Sequence, residues 1–249
     1  MPNLRMLCVT AHPDDEAGGF GGSLLLYQAR GVETNVICLT PGQAARNRGG
    51  YQADEELAAV RRKEFAAACN ILKVTRGEVL NFPDSRLDHV DLYMAVGELV
   101  RRIRQIQPQL MITFGAEGGH TAHPDHTMAS ILATLAYHWA GRSNRYTDQL
   151  EAGLQPCRVQ KLYHTTSTFT LPDRQPISLA PPTAVIDVGP YLETKINAFK
   201  AHVTQAPLFP LFEGTVRKRG KYEMYHLAAS VRPGAAPSEN DLFEGIVAE

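Results

Sequence analysis

The first half of the chain alternates short apolar segments with segments in which apolar residues recur at helical spacing. This pattern predicts strands at residues 4–10, 33–40, 78–82 and 110–114, and helices at residues 17–30, 55–72 and 92–106. Neighbouring parallel strands need a crossover between them, usually a helix, and that crossover is right-handed. The alternation therefore predicts an α/β fold in which a mostly parallel sheet carries helices on both faces.

The pattern changes towards the C-terminus. Strands are predicted at residues 159–166 and 184–188, a helix at 191–202, and a tail or lid rich in Pro, Ser and Glu from Gly234 onwards. Neither a repeat nor a low-complexity tract separates the two parts of the chain. We therefore expect residues 1–249 to form a single domain, with a Rossmann-like core at residues 1–157 and a C-terminal extension at residues 158–249.

The charge balance and the cysteines narrow the function classes. The 249 residues carry 25 basic and 26 acidic side chains, so a small-molecule substrate is expected rather than nucleic acid. No apolar run of about 18 residues occurs, and residues 1–5 lead directly into a strand, so we expect a cytoplasmic protein without a membrane segment. The cysteines lack CxxC spacing and are expected to be reduced packing residues: Cys8, Cys38, Cys69 and Cys157.

The first predicted strand ends in a charged segment, Ala-His-Pro-Asp-Asp-Glu at residues 11–16. Pro13 suits the first position of a helix, because that position needs no backbone donor. Asp14, Asp15 and Glu16 then lie at the carboxyl end of a strand, which is the edge where open α/β sheets bind ligands. The alternative interpretation is that these acids only face the positive end of the helix dipole.

Four glycines follow these acids inside the predicted helix: Gly18, Gly19, Gly21 and Gly22. They come after the acids rather than forming the turn, and the G-x-G-x-x-G order of dinucleotide-binding turns is absent. We therefore expect these glycines to allow close packing of the helix against the sheet, and not to bind a nucleotide.

A second His-Pro-Asp turn follows the fourth predicted strand, in the sequence His-Pro-Asp-His at residues 123–126. Pro124 is again placed to begin a helix. Two such turns on one edge of a parallel sheet can converge, and imidazole and carboxylate groups suit zinc. The residues alone give four candidate ligands without choosing among them: His12, Asp15, His123 and His126.

The two segments, AHPDDE at residues 11–16 and HPDH at residues 123–126, resemble those of the LmbE-like, or PIG-L, family of zinc-dependent N-deacetylases. Less specific similarity extends the resemblance over most of the chain, through RRKEFAAACNIL at 61–72, FPDSRL at 82–87 and AFKAHVTQ at 198–205. The resemblance implies three zinc ligands: His12, Asp15 and His126.

The same resemblance implies the catalytic roles. Asp14 would be the general base, because zinc lowers the pKa of a water to about 7 and a neighbouring carboxylate can accept its proton. His123 would hold the developing oxyanion and protonate the leaving amine. Asp125 would orient the imidazole of His123 and favour its charged form. Glu16 is expected to be a helix-start acid or a partner of the site residues.

Five further residues are candidate substrate contacts. Arg61 either reaches the substrate or is a solvated helix residue. Asp84 and Arg86 lie on a predicted loop at a strand end, where they are weaker candidates for binding sugar hydroxyls. His202 is a candidate to line the site from the late helix. His120 stands where relatives often carry an aromatic residue such as tyrosine, which affects substrate fit rather than zinc binding.

We therefore expect a zinc-dependent hydrolase that removes an acetyl or similar acyl group from an N-acetylglucosamine-type sugar or conjugate. Substrates open to such a family are glucosaminyl malate, as in bacillithiol synthesis, a glucosaminyl inositol, chito-oligosaccharides, and thiol-sugar conjugates cleaved by an amidase. Two alternatives differ in chemistry: a non-haem iron(II) enzyme with the same ligands, and a non-catalytic sugar- or nucleotide-binding module.

Specificity and assembly are expected to depend on loops. Residues 41–54, 83–90 and 203–222 are predicted to form loops around the site, and loops vary most between homologous enzymes. The apolar stretch at residues 206–212 has two interpretations. It is either a contact surface in a homo-oligomer or a wall beside the substrate.

Overall fold

A computed structural model describes residues 4–167, 178–232, 234 and 238–247. Its strands are β1 (Arg5–Thr10), β2 (Glu33–Cys38), β3 (Arg76–Val79), β4 (Leu110–Thr113), β5 (Lys161–Thr166), β6 (Ala184–Asp187) and β7 (Tyr222–Ser230). These described strands form one seven-stranded sheet in the order β3-β2-β1-β4-β5-β7-β6. The pairs among β1 to β5 are parallel, whereas β7 is antiparallel to both of its neighbours. The prediction of a mostly parallel α/β sheet is confirmed.

Helices connect the parallel strands. The α-helices of the described residues are α1 (Asp15–Ala29), α2 (Asp54–Ile71), α3 (Leu92–Ile106), α4 (Pro124–Ala140), α5 (Thr147–Glu151), α6 (Leu192–Lys200) and α7 (Phe209–Arg219). Contacts group α3 with α4, and α1 with α2 and α6, as right-handed crossovers on the two faces of the sheet require. Within the described part of the chain, every helix is too short or too polar to cross a bilayer.

The two His-Pro-Asp turns follow neighbouring strands. β1 and β4 are parallel, with Met6 beside Leu110 and Cys8 beside Ile112, so both strands end at the same edge of the sheet. From this pair the strand order runs to β2 and β3 on one side and to β5 on the other. Ligand crevices of open α/β sheets form at such a switch point, so the fold brings both turns to the expected place.

The core lies between the sheet and its helices. β1 and β4 are covered on both faces, and their residues form near-continuous buried runs. Phe20 and Leu24 of α1 are fully buried against this core, and each such burial stabilises the fold by about 1.5–3 kcal/mol. The cysteines are all buried and free, which confirms their assignment as packing residues.

The C-terminal residues complete the same sheet. β5 pairs with β4, and β7 lies between β5 and β6. The sequence pattern did not predict β7, because Glu223 and His226 interrupt its apolar alternation. Residues 203–222 were expected to be a loop but contain α7 and a preceding 3-10 helix, Val203–Leu208.

The glycines of α1 allow close packing, as expected, and Gly22 packs against C-terminal elements. A Cβ atom at Gly22 would lie 2.6 Å from Cβ of Val188. The backbone N–H groups of Gly22 and Ser23 donate to the buried carboxylate of Glu223 in β7, at 2.9 and 2.8 Å. The missing side chain therefore lets α1 approach β7 closely enough for these hydrogen bonds.

The described part of the tail packs far from the acids of α1. Tyr27, near the C-terminal end of α1, donates a hydrogen bond to Asp241 at 3.0 Å, and Leu242 is fully buried. Asp14 and Asp15 lie at the opposite end of the helix, about four turns away. Of the two predicted roles, tail or lid, residues 238–247 therefore fit the tail. Residues 235–237 and 248–249 lie outside the described part of the chain.

Candidate active site

The turn after β1 differs from the expected helix start. Pro13 was predicted at the first helical position, but α1 begins at Asp15, with Asp14 as its N-cap at φ 119° and ψ −25°. A positive φ is costly for a residue with a Cβ atom, of the order of 1–3 kcal/mol, and such strain occurs preferentially at functional sites. This conformation places Asp14 on the wall of a cavity that it shares with Asp15.

Buried polar groups hold Asp14 in this conformation. Its backbone N–H donates to Oε2 of Glu16 at 3.0 Å, and Nη2 of Arg61 donates to its Oδ2 at 3.0 Å. Arg61 also donates to the carbonyl oxygens of Pro13 and of Gly42. Burial of the carboxylate raises the pKa of Asp14 to about 6, although the charge of Arg61 opposes this shift.

Glu16 links this turn to a distant part of the chain. Its Oε1 lies 2.6 Å from Nε2 of His202, and both side chains are fully buried. Burial lowers the pKa of His202, but the charge and hydrogen bond of Glu16 outweigh it and the net shift is upward. Glu16 is thus a partner of the site residues, one of the two roles expected for it.

Asp15 lies between two histidines. Its Oδ2 accepts hydrogen bonds from the backbone N–H groups of Ala11 and His12, at 3.1 and 2.7 Å. Its Oδ1 is 3.1 Å from Nε2 of His126, and Nδ1 of His12 is 3.6 Å from its Oδ2. The neighbouring imidazoles lower the pKa of Asp15 despite its burial, so this carboxylate is ionised at neutral pH.

The turn after β4 starts a helix as predicted. His123 is the N-cap of α4 and Pro124 is its first residue. The ring of His126 stacks on Phe114 at a centroid distance of 4.0 Å, and its Nδ1 is 3.1 Å from the carbonyl oxygen of Gly118. Its Nε2 is thereby directed towards Asp15.

His12 joins the two turns. Its Nε2 lies 3.1 Å from Oδ2 of Asp125 and 3.1 Å from Oδ1 of Asp84. Burial lowers the pKa of His12, but hydrogen bonds to these two carboxylates outweigh it and raise the pKa to about 10. Asp125 also accepts from the backbone N–H groups of Ser85 at 2.6 Å and Leu87 at 3.1 Å.

This arrangement differs from the one expected for Asp125. Its carboxylate contacts His12, whereas its backbone N–H donates to Nδ1 of His123 at 3.1 Å. Burial and the neighbouring rings of His12 and His126 lower the pKa of His123. The structure therefore favours a neutral His123, in contrast to the charged form that the resemblance implied.

Two groups among the described residues bring possible ligand atoms within 4.8 Å of one another: His12 with Asp15 and His126, and His12 with His123 and Asp125. In the first group, the ring nitrogen of each histidine that faces away from Asp15 contacts a carboxylate or a carbonyl oxygen. Such contacts are typical of metal-binding histidines. In the second group, backbone amides donate to both carboxylate oxygens of Asp125. In the first group, both amides that Asp15 accepts bind its Oδ2, which leaves its Oδ1 facing His126. The donor chemistry fits a metal better in the first group.

The candidate substrate contacts have different positions. Arg61 is 2% exposed and contacts Asp14, so it is not a solvated helix residue, and it lies outside the cavity lining. Asp84 is buried and bonded to His12 and to the backbone of the 41–54 segment. Arg86 is exposed on the loop after β3 and lies outside the cavity lining. His202 is buried behind the turn with Glu16, whereas His120 does line the cavity.

A cavity of about 740 Å³ opens beside the two turns. Sequence reasoning missed many of its lining residues, among them Phe114, Lys195, Phe199 and Glu223. Glu223 belongs to the unpredicted strand β7, and its buried carboxylate is 2.6 Å from Nζ of Lys195. The stretch 206–212 contributes Leu208, Leu211 and Phe212 to the lining, which supports its interpretation as a wall beside the substrate.

Comparisons with known proteins agree with this geometry. A family model described as PIG-L, GlcNAc-PI de-N-acetylase, matches residues 7–137. The 1D-myo-inositol 2-acetamido-2-deoxy-alpha-D-glucopyranoside deacetylase of Kribbella flavida is 30% identical, over 99% of this chain and 99% of that protein. The mycothiol S-conjugate amidase of Streptomyces coelicolor is 28% identical, over 98% of this chain and 97% of that protein.

A solved structure shows the same fold. The N,N'-diacetylchitobiose deacetylase from Pyrococcus horikoshii superimposes with a TM-score of 0.74 at 23% sequence identity, covering 90% of this chain and 83% of that chain. At this level of identity the likeness concerns the fold, and the side chains of the site must be judged from their own contacts.

Proposed function

Because the chain belongs to the PIG-L family of de-N-acetylases, we propose that it is a metal-dependent hydrolase that deacetylates an N-acetylglucosamine-type sugar conjugate. The observation that carries this proposal is the position of Asp14. Asp14 has a strained backbone and a side chain that is 18% exposed, and it lines the same cavity as Asp15 and His126, which is where a general base must lie to act on a substrate bound there.

We assign metal binding to His12, Asp15 and His126. A divalent metal bound there would polarise the amide carbonyl and lower the pKa of a water. Two imidazoles and one carboxylate suit zinc, which we propose over iron(II), although the same donor types also bind iron. Elemental analysis of the purified protein, together with activity measured without oxygen, distinguishes the two metals.

Asp14 is placed to accept a proton from the attacking water. A carboxylate with a pKa of about 6 is mostly ionised at pH 7, yet it is more basic than an ordinary aspartate. Arg61 and Glu16 fix its side chain and its backbone. In this proposal Arg61 acts through Asp14 rather than through the substrate.

His123 is placed to donate a hydrogen bond to the developing oxyanion. The backbone N–H of Asp125 donates to its Nδ1, so the neutral ring carries its proton on Nε2. Its ring lies 4.8 Å from that of His12 and 5.3 Å from that of His126. A neutral imidazole can stabilise negative charge by this N–H, but it cannot give up that proton without becoming an imidazolate. The leaving amine therefore takes the proton that Asp14 has accepted from the water.

Asp125 and Asp84 have a positioning role. Both carboxylates contact Nε2 of His12, which leaves Nδ1 directed towards Asp15. Carboxylates that hold a metal-binding histidine in this way typically change metal affinity about 10–100-fold when they are removed. We therefore assign Asp84 to the support of His12 rather than to sugar hydroxyls.

The curated relatives favour an inositol-linked substrate over glucosaminyl malate. The Kribbella flavida relative is named for an N-acetylglucosaminyl inositol, and its match spans both proteins almost completely. The Streptomyces coelicolor relative, of similar identity, is named for a mycothiol S-conjugate. The second candidate function is therefore an amidase that cleaves a thiol-sugar conjugate of this kind.

The test is an assay of the zinc-loaded protein on four substrates: N-acetylglucosaminyl inositol, N-acetylglucosaminyl malate, N,N'-diacetylchitobiose and a mycothiol S-conjugate. Free amine and acetate are measured, and Asp14→Asn is the matched control. Acetate from the inositol conjugate supports deacetylation, whereas amine released without acetate from the thiol conjugate favours the amidase. If none of the four substrates is hydrolysed, the proposed function is wrong.

A further inference from the structure

We propose that the sugar substrate carries an apolar group on its aglycone, beyond the inositol where one is present, and that this group binds against α7. This inference rests on the proposed function and concerns the far side of the same cavity. The apolar lining there consists of residues from α6, α7, β7 and the segment that precedes α7: Phe199, Leu208, Leu211, Phe212, Val216, Tyr222 and Met224.

A continuous path of apolar contacts leads from the candidate metal ligands to this wall. The ring of His126 stacks on Phe114. A Cβ atom at Gly19 would lie 4.0 Å from Phe114, and one at Gly18 would lie 3.6 Å from Phe199. The first turn of α1 is therefore flanked by Phe114 on one side and Phe199 on the other, and its glycines leave space between them.

The path continues onto α7. Phe199 stacks on Phe212 with ring centroids 3.8 Å apart. Leu211 and Leu208 extend the same wall outwards, and they are 62% and 39% exposed. A ligand group that covers apolar side chains removes their surface from water, which makes binding more favourable. This gain in binding free energy is largest for lining side chains that are exposed before the ligand binds.

The charged groups at the floor of the cavity are already paired. Nζ of Lys195 lies 2.6 Å from Oε1 of Glu223, and the same carboxylate accepts the backbone N–H groups of Gly22 and Ser23. Tyr225 also donates to it at 3.2 Å. Lys195 and Glu223 thus form a neutral ion pair on this floor, and Arg219, which also lines the cavity, has an interaction partner as well. The apolar wall beside them is suited to an uncharged apolar group.

The apolar group must belong to the amine half of the substrate. The proposed reaction cleaves an acetyl amide, and the acyl part of that amide is a single methyl group. A cavity of about 740 Å³ is in the range that holds a drug-sized molecule, which is larger than one N-acetylated hexose. The remaining volume beside α7 is therefore left for the group attached to the sugar.

The experiment compares three substrates: the methyl glycoside of N-acetylglucosamine, the n-hexyl glycoside, and the methyl glycoside of N-hexanoylglucosamine. Both anomers of each are assayed, and the readout is the ratio of kcat/KM to that of the methyl N-acetyl glycoside. A hydrophobic pocket gains at least about tenfold for added methylene groups. We expect the n-hexyl glycoside to be preferred at least about tenfold, and the N-hexanoyl compound not to be preferred.

Two double variants test the wall itself. The double variant Leu208→Ser with Leu211→Ser should lower the ratio of kcat/KM for the n-hexyl glycoside to that for the methyl glycoside to about one. Both residues are exposed, so the fold should tolerate the change. Leu92→Ser with Met94→Ser, two exposed apolar residues on α3 outside the cavity lining, should leave both the preference and the activity on the methyl glycoside unchanged.

Each result bears on a specific step. Similar kcat/KM values for the n-hexyl and methyl glycosides would overturn the apolar aglycone site. So would a preference for the n-hexyl glycoside that persists in the variant with Leu208→Ser and Leu211→Ser. A preference for the N-hexanoyl compound would place the apolar group on the acyl side and also overturn it. Equal rates of acetate release from the methyl and n-hexyl N-acetyl glycosides would leave the proposed function intact while removing this inference. If neither glycoside released acetate while a conjugate of the four-substrate assay did, this inference alone would fail. Failure on all of these substrates would remove both.

Discussion

The two His-Pro-Asp turns have the same three residues after neighbouring parallel strands, yet they differ in where the helix begins. In the second turn, Pro124 is the first residue of α4 and His123 is its N-cap. In the first turn, α1 begins only after Asp14, whose φ is 119°. As a result, Asp14 lines the cavity, whereas Asp125 is 1% exposed and accepts hydrogen bonds from the loop after β3.

The comparison shows that one backbone angle separates a candidate general base from a buried positioning residue. The carboxylate of Asp125 contacts His12, whereas that of Asp14 contacts Arg61, and only Asp14 combines cavity exposure with a raised pKa. The pKa of Asp125 is lowered, since hydrogen bonds from His12 and two amides outweigh the effect of its burial. The two turns are therefore complementary parts of one site rather than repeats of one function.

The largest difference is expected between the two histidines of the second turn. His126→Ala should lower metal affinity by more than about 100-fold, beyond the effect of losing a supporting residue, and should reduce activity to background. His123→Ala should retain the metal and reduce kcat, since it removes only a hydrogen-bond donor. Metal content after dialysis, measured by elemental analysis, checks the pair. Loss of metal from the His123 variant alone would reverse the ligand assignment.

The next difference is expected between the two aspartates. Asp14→Asn should lower kcat by about 10²–10⁴-fold with metal content unchanged, because it removes the proton acceptor. Asp125→Asn should mainly weaken metal binding, by about 10–100-fold, because it removes support from His12. Titration of metal-free protein with zinc, followed by kcat at saturating metal, separates the two effects. If Asp125→Asn lowered kcat at saturating zinc as far as Asp14→Asn, the division of roles would be wrong.

The pH dependence of activity tests the role of Asp14 without replacing any candidate metal ligand. Asp14 must be ionised to act as a base, so kcat/KM should fall as pH decreases through about 6. The charge of Arg61 lowers the pKa of Asp14, so Arg61→Met should move this acidic limb to higher pH. Arg61→Lys, which keeps the charge, should move it less. An acidic limb that stays in place in Arg61→Met would argue against Asp14 as the titrating group.

Local sequence patterns predict much of this fold. The parallel strands and the helix Leu92–Ile106 follow directly from apolar periodicity. The convergence of the two turns follows because β1 and β4 are parallel neighbours. Strand β7 was missed, because Glu223 is compatible with a buried strand only through Lys195, which lies 28 residues away.

The contacts around Asp14 could not be predicted from local sequence patterns. Glu16 finds its partner His202 at a separation of 186 residues, and Arg61 reaches the turn from α2. The sequence pattern placed Arg61 on a partly solvated face, because helical periodicity does not show that a charged side chain has a buried acceptor. The φ of Asp14 likewise depends on these distant contacts, so local preferences for Pro and Asp did not predict it.

The smallest expected difference is between the two prolines. Pro124 is the first residue of α4, a position that the φ fixed by a proline ring suits, so Pro124→Ala should lower the free energy of unfolding by about 0.4–1 kcal/mol through the unfolded chain. For a chain of this size that corresponds to a melting temperature lower by about 1–4 °C, with little change in kcat. Pro13→Ala should have a similar cost in stability but should also reduce kcat, because Pro13 adjoins Asp14 and its carbonyl oxygen accepts a hydrogen bond from Arg61. Thermal unfolding and kcat, measured on both variants, show whether the backbone of the first turn contributes to catalysis; equal changes in the two variants would show that it does not.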